Sequence, residues 1–245
     1  MKNPGMPEAG CGLASLPTEH CIKRSSLFIA ALCGTAFAAH AVIITEPTRT
    51  YSVGYDLADV VNPGAFFQQT IADSTIVSLT DVRVGLHLVG RGIGGFAGEL
   101  VVSLNKDLSA TSLLLNRVGV SAGNSFGFGY NGWDVSLADA GSGGDIHAAS
   151  LVSGILTGEF APDGRTSPTS ALRPALLNVF NGGTGNGDWY LSVADVAAGG
   201  TMRLESWSLT LTGENGVAAV PEAGTWAAGL LVAGLVGLRA GRGRR

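Results

Sequence analysis

The stretch Trp207-Ser208-Leu209-Thr210-Leu211-Thr212 decides the fold class, because its odd-numbered residues are apolar and its even-numbered residues carry hydroxyl groups. A second stretch, Val82–Leu88, has the same alternation with its apolar residues at even positions. A period of two residues is typical of a β-strand with one face on a hydrophobic core and the other in water. Both stretches are therefore predicted to be strands of a half-buried sheet.

Further strands are predicted on both sides of these two, with turn-forming sequence between them. The candidates are Leu100–Leu104, Leu113–Val118, Trp133–Leu137 and Trp189–Val193, and glycine- and asparagine-rich turns lie at Gly90–Gly98, Gly123–Gly132 and Asn181–Gly187. No long helical periodicity interrupts the series. Six or more short strands separated by such turns indicate an all-β fold, specifically an antiparallel β-sandwich.

The net charge of the segment from Val42 to Val220 argues against nucleic-acid binding. The segment contains 16 Asp and Glu residues against 8 Lys and Arg residues, so its net charge is −8. A nucleic-acid binder needs a basic stripe to neutralise phosphates, and none is present, so nucleic acid is not expected as a partner. All three cysteines of the chain precede this segment, which excludes a disulfide scaffold, a cysteine zinc site and a thiol nucleophile within it.

The first 41 residues have the three-part layout of a secretory signal peptide. Lys23 and Arg24 precede the apolar run Leu27–Phe37, and small residues follow it. A positive end, a short apolar stretch and a small-residue cleavage site are the features of such a signal. We therefore predict cleavage after Ala38 or Ala41 and export of the remaining chain. The alternative is that the apolar run forms a buried helix of the fold.

The last 26 residues carry a second targeting pattern. The box Val220, Pro221, Glu222, Ala223, Gly224 and Thr225 precedes an apolar stretch that starts at Trp226, and the chain closes with Arg239, Arg242, Arg244 and Arg245. The apolar residues cover every face of the predicted transmembrane helix 225–238, which argues against an amphipathic core helix. This helix is shorter than the about 20 residues of an ordinary span. Its arginine tip predicts a cytoplasmic C-terminus, with Trp226 at the opposite interface.

This order of parts resembles the PEP-CTERM sorting signal, which has a Val-Pro-Glu-Pro-like box, a short transmembrane helix and a basic tip. Ala223 replaces the second proline, so the box is a variant. The resemblance implies recognition by an exosortase and removal of the tail. It also implies an inner-membrane-anchored precursor that is delivered to the envelope, the cell surface or an exopolysaccharide matrix of a Gram-negative cell.

The sequence from Ile76 to Gly213 carries an ordered series of motifs. The most specific are Gly187-Asp188-Trp189-Tyr190-Leu191-Ser192-Val193-Ala194-Asp195 and Leu204-Glu205-Ser206-Trp207-Ser208-Leu209-Thr210-Leu211. Upstream lie Gly98-Glu99-Leu100, Leu113–Arg117, Asp134–Asp139 and Gly158–Gly164. The series resembles the P domain (P/Homo B domain) that follows the catalytic domain in subtilisin-like proprotein convertases. Gly200-Thr201-Met202 departs from the family's usual Asp-x-Gly. The resemblance implies a jelly-roll β-sandwich of about eight strands.

The predicted core lies on the two closing motifs. Trp189 and Trp207 each begin an alternating apolar face, and large aromatic side chains dominate cores of this kind. The predicted core residues are Trp189, Leu191, Val193, Trp207, Leu209 and Leu211. For Trp133, which glycines surround, stacking on a ligand is an alternative to core packing.

One motif suggests a serine hydrolase. Gly119-Val120-Ser121-Ala122-Gly123 matches the nucleophile elbow Gly-x-Ser-x-Gly, which requires a sharp strand-to-helix turn with Asp and then His later in the chain. Glycine- and asparagine-rich sequence follows instead of a helix, and His147 is the only downstream histidine. We therefore predict no catalytic residues and no enzyme activity.

Five aspartates near predicted strand ends are candidate calcium ligands, because calcium takes six to eight oxygen ligands, often from loops. They are Asp134, Asp139, Asp145, Asp188 and Asp195. No Asp-x-Asp-x-Asp-Gly loop is present, so solvated acidic turns are the alternative. His87 and His147 form no zinc-binding pattern with other residues, and His87 is expected to face solvent. No other metal or cofactor is predicted.

The chain is thus expected to have five parts: signal peptide and leader (1–41), N-terminal extension with room for a first strand (42–75), P-domain-like sandwich (76–213), linker (214–219) and sorting tail (220–245). The expected function is a noncatalytic binding or structural module of the envelope or exopolysaccharide matrix. The alternative is an accessory P domain that acts with a separate subtilisin-like serine endopeptidase, because Val42–Thr75 is too short for a catalytic domain. The expected partners are an exosortase, the membrane, and either exopolysaccharide or a subtilase.

Overall fold

The computed structural model describes residues 41–60, 64–91, 95–150 and 154–216. Twelve strands lie in these residues: β1 (Val42–Thr45), β2 (Arg49–Asp56), β3 (Ala65–Ile71), β4 (Ile76–Arg91), β5 (Gly95–Phe96), β6 (Leu100–Lys106), β7 (Ala110–Asn116), β8 (Gly129–Tyr130), β9 (Gly132–Leu137), β10 (Ile155–Phe160), β11 (Gly187–Asp195) and β12 (Thr201–Asn215). Three short 3₁₀ helices accompany them: η1 (Ala97–Glu99), η2 (Ile146–Ala148) and η3 (Leu177–Phe180). The all-β prediction is confirmed.

The larger sheet has six strands and is built around the long antiparallel pair of β4 and β12. Its order is β1-β12-β4-β9-β10. β2 pairs with β12 on the same edge as β1: β1 is opposite residues 212–215 of β12, and β2 is opposite residues 203–209. The smaller sheet has the order β3-β11-β6-β7 and is antiparallel throughout. The short strands β5 and β8 pair separately.

The two large sheets bury one shared core. Apolar side chains alternate along the strands, and the inward positions on β4 and β12 are at most 1% exposed. The largest fully buried side chains are Trp133 on β9, Trp189 on β11 and Trp207 on β12. Burial of an aromatic side chain stabilises the folded state by roughly 1.5–3 kcal/mol. Trp133 is completely buried, so its ring is not open to a ligand, and the stacking alternative is wrong.

The N-terminal residues 42–75 take a larger part in the fold than the sequence suggested. They form β1, β2 and β3, so three strands occur where room for one was expected. β1 and β2 complete an edge of the larger sheet, and β3 covers the edge of β11 in the smaller one. The strand β12 also continues to Asn215, into the stretch expected to be a linker.

The strand pairing departs from the expected antiparallel arrangement at one place. β10 lies parallel to β9, with Ile155 opposite Gly132 and Phe160 opposite Leu137. The long connection between these strands carries η2 and returns the chain to the starting end of β9, which a parallel pair requires. A tight hairpin turn would have produced the antiparallel arrangement instead.

Several predictions concern residues outside the described parts of the chain. These are the signal peptide, the box Val220–Thr225, the helix 225–238, Trp226, and the arginines Arg239, Arg242, Arg244 and Arg245. Among the residues that the structure does describe, none forms a helix long and apolar enough to cross a bilayer.

Candidate functional site

A polar groove runs across the outer face of the six-stranded sheet. Its side walls are formed by His87 on β4 and Asp134 on β9 on one side and by Thr50, Ser206 and Ser208 on the other. The groove is open to solvent, and its volume of about 270 Å³ includes this open space. His87 and Asp134 are directly opposite each other in the register of β4 and β9. The expectation that His87 faces the outside of the sheet agrees with this position, although its side chain is half-buried.

The local sequence explains why the groove forms at this point. Gly85 lies on its floor, and a Cβ atom at this position would overlap the Ser208 hydroxyl oxygen. A β-bulge between Leu204 and Ser206 shifts the register of β12 beside it. Bulges change the direction in which a side chain points, so Ser206 and Ser208 both border the groove.

Ion pairs hold the charged side chains near the groove. Arg83 pairs with Glu159 across to β10 and also donates a hydrogen bond to the Ser136 hydroxyl at 3.3 Å. Arg203 pairs with Asp56 at 3.0 Å and with Glu205 at 3.1 Å. These charges are therefore neutralised in pairs. The hydroxyl groups, His87 and Asp134 remain as the polar lining of the groove.

A second candidate site consists of two buried carboxylates at one end of the sandwich. Glu99 ends η1 and Asp195 ends β11, and each residue is only 1% exposed. They are neighbours through the backbone, because Asp195 is opposite Leu100 and the Val196 N–H donates to the Glu99 carbonyl at 2.7 Å.

Each of these carboxylates has one oxygen that accepts weak hydrogen bonds and one that has no partner. Glu99 Oε2 accepts the backbone N–H groups of Phe96 and Gly200 at 3.3 and 3.2 Å, while Oε1 has no hydrogen-bond partner. Asp195 accepts only the Ala197 N–H at 3.5 Å, and its Oδ2 has no partner. Burial raises the pKa of the Glu99 carboxyl. Burial, helped by the charges of Glu99 and Asp59, raises the pKa of Asp195 to about 6.

A cavity adjoins the Asp195 carboxylate. It is open to solvent, has a volume of about 260 Å³ that includes this open space, and is lined by the end of β2, the turn after it, the start of β3 and the end of β11. Its lining residues are Tyr55, Leu57, Ala58, Gly64, Ala65, Val193 and Asp195. Asp195 is the one carboxylate among them.

A third polar cluster is centred on Asp163, in the loop after β10, and contacts the end of β7 and η2. Asp163 is fully buried, and its carboxylate contacts His147 Nδ1 at 2.7 Å, Arg165 Nη1 at 3.1 Å and the Asn116 N–H at 3.2 Å. Arg165 also pairs with Asp145. Burial raises the pKa of the Asp145 carboxyl, but the hydrogen bonds from Arg165 and from the His147 N–H outweigh this effect, so its pKa lies below the ordinary value.

The five candidate calcium ligands lie in separate places. Asp134 lines the groove, Asp145 belongs to the Asp163 cluster, and Asp195 lines the cavity. Asp139 accepts the N–H groups of Leu177 and Asn178 at the start of η3, and Asp188 accepts the Thr70 hydroxyl at 2.6 Å. In the described ranges, no three His, Cys, Asp or Glu side chains converge to hold a metal ion. The five aspartates therefore do not form a common site.

The Ser121 motif forms a tight turn rather than a nucleophile elbow. The backbone N–H and C=O groups of Ser121 and Asn124 are paired, and the chain continues into the short strand β8. His147 Nδ1 faces Asp163, and its Nε2 lies 3.4 Å from the Val120 carbonyl oxygen. The contacts of this histidine are therefore with a buried carboxylate and a backbone carbonyl.

Glu99 is the functional candidate that sequence reasoning missed. Its motif Gly98-Glu99-Leu100 is one of those that carry the P-domain resemblance. A single carboxylate beside a glycine gives no indication that it will be buried, however. Its burial follows from the loop after β11, where a Cβ atom at Gly199 would overlap Glu99 Oε1.

Comparisons with known proteins were made for the sequence and for the structure. No family model matches the chain, and no curated protein matches it. A solved structure with some similarity is the crystal structure of an Aeromonas sobria serine protease in complex with the chaperone. The match has 17% sequence identity and a TM-score of 0.41, and it covers 71% of this chain and 27% of that chain. Similarity at this level does not assign the chain to a family.

Proposed function

We propose that the chain is an exported, noncatalytic β-sandwich module that binds polysaccharide in the bacterial cell envelope or exopolysaccharide matrix. The binding surface is the outer groove of the six-stranded sheet. The observation that carries this proposal is the polar lining of the groove, in which Thr50, His87 and Asp134 lie beside two serine hydroxyls. Hydroxyl and imidazole groups donate and accept hydrogen bonds and a carboxylate accepts them, so this lining can pair with sugar hydroxyls, which do both.

The charge of the domain favours a neutral glycan. A net charge of −8 between Val42 and Val220 repels polyanions at low salt. The cations near the groove are also engaged, since Arg83 and Arg203 are held in ion pairs. A neutral polysaccharide has no such barrier and is the ligand class that fits this surface.

The two chain ends support delivery to the envelope. The signal-like N-terminus predicts export, and the PEP-CTERM-like tail predicts sorting by an exosortase. Fractionation of cells with intact-mass measurement of the envelope-bound protein tests both steps. We expect a mass that lacks the first 38 or 41 residues and the C-terminal tail. Recovery of the unprocessed chain from the cytosol would contradict export.

Binding to the groove is tested with two variants and a matched control. We expect His87→Ala and Asp134→Asn each to weaken the binding of neutral envelope polysaccharide about 5- to 50-fold, because a lost hydrogen bond to a ligand costs ~1–2 kcal/mol. Asp81→Asn is the control, since Asp81 lies on the same strand as His87 but six residues away, about 20 Å. Affinity electrophoresis in polysaccharide gels measures the effect. Equal binding by all three variants would contradict the assignment of the groove.

The alternative is an accessory module for a separate subtilisin-like serine endopeptidase. It is favoured by the P-domain-like motifs, which lie on β11 and β12, one in each large sheet. On this proposal, the sandwich is a P-domain-like jelly roll. Pull-down from envelope extracts separates the two functions, because a copurifying subtilase supports the alternative and bound polysaccharide supports the principal proposal.

A further inference from the structure

The outer face of the four-stranded sheet β3-β11-β6-β7 has almost no charged side chains. Trp189 and Leu191 of β11 are buried in the core, and side chains alternate along a strand, so the residues between them face outward. The same alternation orients β3, β6 and the start of β7. Among the outward positions that the structure describes in these four strands, only Asp188 is charged. The outer face of the six-stranded sheet, in contrast, carries ion pairs such as that of Arg83 with Glu159.

One row of side chains crosses this face in a continuous register. Tyr190 of β11 lies opposite Gln68 of β3 on one side and Asn105 of β6 on the other. Asn105 in turn lies opposite Thr111 of β7. Because neighbouring strands lie about 4.8 Å apart, these four side chains form a row about 14 Å long. Gln68 and Thr111, at its two ends, are exposed, so the row is open to solvent at both edges of the sheet.

The polar groups of this face are ordered by contacts with one another. Asn105 Nδ2 donates to the Thr111 hydroxyl at 2.6 Å. The single carboxylate, Asp188, accepts the Thr70 hydroxyl at 2.6 Å and the Tyr190 hydroxyl at 3.4 Å, so its charge is engaged within the face. Side chains that are ordered before a ligand arrives lose less conformational entropy when it binds.

The composition of the face indicates the class of ligand. A tyrosine offers a flat apolar ring with a polar edge, and amide and hydroxyl groups both donate and accept hydrogen bonds. A polysaccharide chain presents the complementary groups, which are the C–H faces of its sugar rings and their hydroxyls. A polyanion would find no cation among the described residues of this face, and the net charge of −8 between Val42 and Val220 would repel it at low salt. A neutral polysaccharide therefore fits both the charge and the chemistry of this face.

We propose that this face, centred on Tyr190, is a second binding surface for neutral polysaccharide, so that one domain holds two glycan chains at once. The inference rests on the proposed function, in which the groove at His87 holds the first glycan chain. The two surfaces lie on opposite sides of the sandwich, because each is the outer face of one of the two sheets that share the core. A domain with two opposed surfaces cross-links polysaccharide, whereas a domain with a single surface only coats it.

A bead assay with the purified full-length protein tests whether both surfaces bind. Neutral envelope polysaccharide is fixed to beads, the protein is bound to it, and the capture of a second, fluorescent sample of the same polysaccharide is measured. We expect the wild type to capture the fluorescent sample. Tyr190→Ala should keep bead binding through the groove but lower the capture about 3- to 10-fold. His87→Ala should also lower the capture, with weaker bead binding through the Tyr190 surface, and the double variant should lose both.

Three further variants separate ligand contact from folding. Tyr190→Phe keeps the ring and should keep most of the capture. Gln68→Ala, at an exposed position of the row, should lower the capture about 2- to 5-fold. Phe126→Ala is the matched control, because it removes an exposed aromatic ring outside both sheets, and it should capture as much as the wild type. Circular dichroism establishes that each variant is folded.

The outcomes separate this inference from the proposed function. If Tyr190→Ala and Gln68→Ala capture as much as the wild type while His87→Ala loses bead binding, the second surface is overturned and the groove stands. If Tyr190→Ala loses bead binding and His87→Ala does not, the groove and the cross-linking are both overturned. A wild type that does not bind the beads would contradict the proposed function and this inference together.

Discussion

Among single residues, Asp195 makes a defined contribution to the pH dependence of stability. Its pKa in the folded protein is about 6, against 3.8 for the free side chain, so the folded state holds a proton that the unfolded state releases. The stabilisation from this proton is fully present below pH 4 and is lost as the pH rises through 6. Above that range, the buried charge of Asp195 destabilises the fold.

Asp195→Asn should therefore stabilise the protein in a pH-dependent way. At pH 7.5, we expect the variant to be more stable than the wild type by about 1–3 kcal/mol, because the pKa of Asp195 is about 6 in the folded protein against 3.8 for the free side chain. The advantage should shrink between pH 6 and pH 4 as Asp195 becomes protonated in the wild type. Urea unfolding at several pH values measures it. A difference that is constant across this pH range would exclude titration of Asp195 as the cause.

The buried tryptophans could be predicted from the sequence, whereas the buried carboxylates could not. Trp189 and Trp207 are buried at the positions where an alternating apolar face predicted them. The burial of Glu99 and Asp195 could not be predicted in the same way, because periodicity reports the direction of apolar side chains only. Asp195 lies beside Leu57 and Gly64, and Glu99 lies beside Gly199, and in both cases the neighbours are far away in sequence.

Among the secondary-structure elements, the Asp163 cluster connects the loop after β10 with the end of β7 and with η2. Asp163 joins the loop after β10 to the end of β7 through the Asn116 N–H and to η2 through His147. Arg173 donates to the backbone carbonyls of Pro162 and Asp163, which fixes the same loop at a second point. These polar contacts thus hold the long loops on both sides of β10, in addition to the pairing of β10 with β9.

Removal of the central carboxylate should loosen these connections. We expect Asp163→Ala to lower the free energy of unfolding by about 2–4 kcal/mol, because it removes the partner of the Asn116 N–H and of His147 Nδ1 and one of the two carboxylates that pair with Arg165. Asp81→Ala, on an outward position of β4, should change it by less than ~0.5 kcal/mol. Urea unfolding gives both values. Equal effects of the two substitutions would mean that the cluster adds no specific stability.

The elements differ in how well their sequence predicts them. The sequence of β4 alternates from Val82 to Leu88 and that of β12 from Trp207 to Thr212, because one face meets the core and the other meets water. β3 does not, since Phe66 is 60% exposed while the neighbouring Phe67 packs on the core, so its pattern gives adjacent aromatics instead of a period of two. The parallel pairing of β10 with β9 is also not encoded locally, because it depends on where a long connection returns the chain.

For the molecule as a whole, the N-terminal boundary of the fold lies earlier in the chain than the sequence motifs predict. The P-domain-like motifs begin near Ile76, but the sheets are complete only with the three strands before it. Tyr51 stacks against Trp207 with ring centroids 4.8 Å apart, and Leu57 and Ile71 belong to the core. The first and last strands of the domain are therefore neighbours in space.

A comparison of two fragments tests this boundary. We expect residues 42–216 to unfold cooperatively and residues 76–216 to be insoluble or to show no cooperative transition by circular dichroism. The shorter fragment loses the burial of six core-contacting side chains, Ile44, Tyr51, Val53, Leu57, Phe67 and Ile71. Full burial of one such side chain stabilises by roughly 1.5–3 kcal/mol, so the combined loss is comparable with the roughly 5–15 kcal/mol that stabilises an ordinary domain. It also leaves β11 and β12 with open edges that favour aggregation. A soluble 76–216 fragment with the Tm of the longer one would show that the motif-bearing strands fold without residues 42–75.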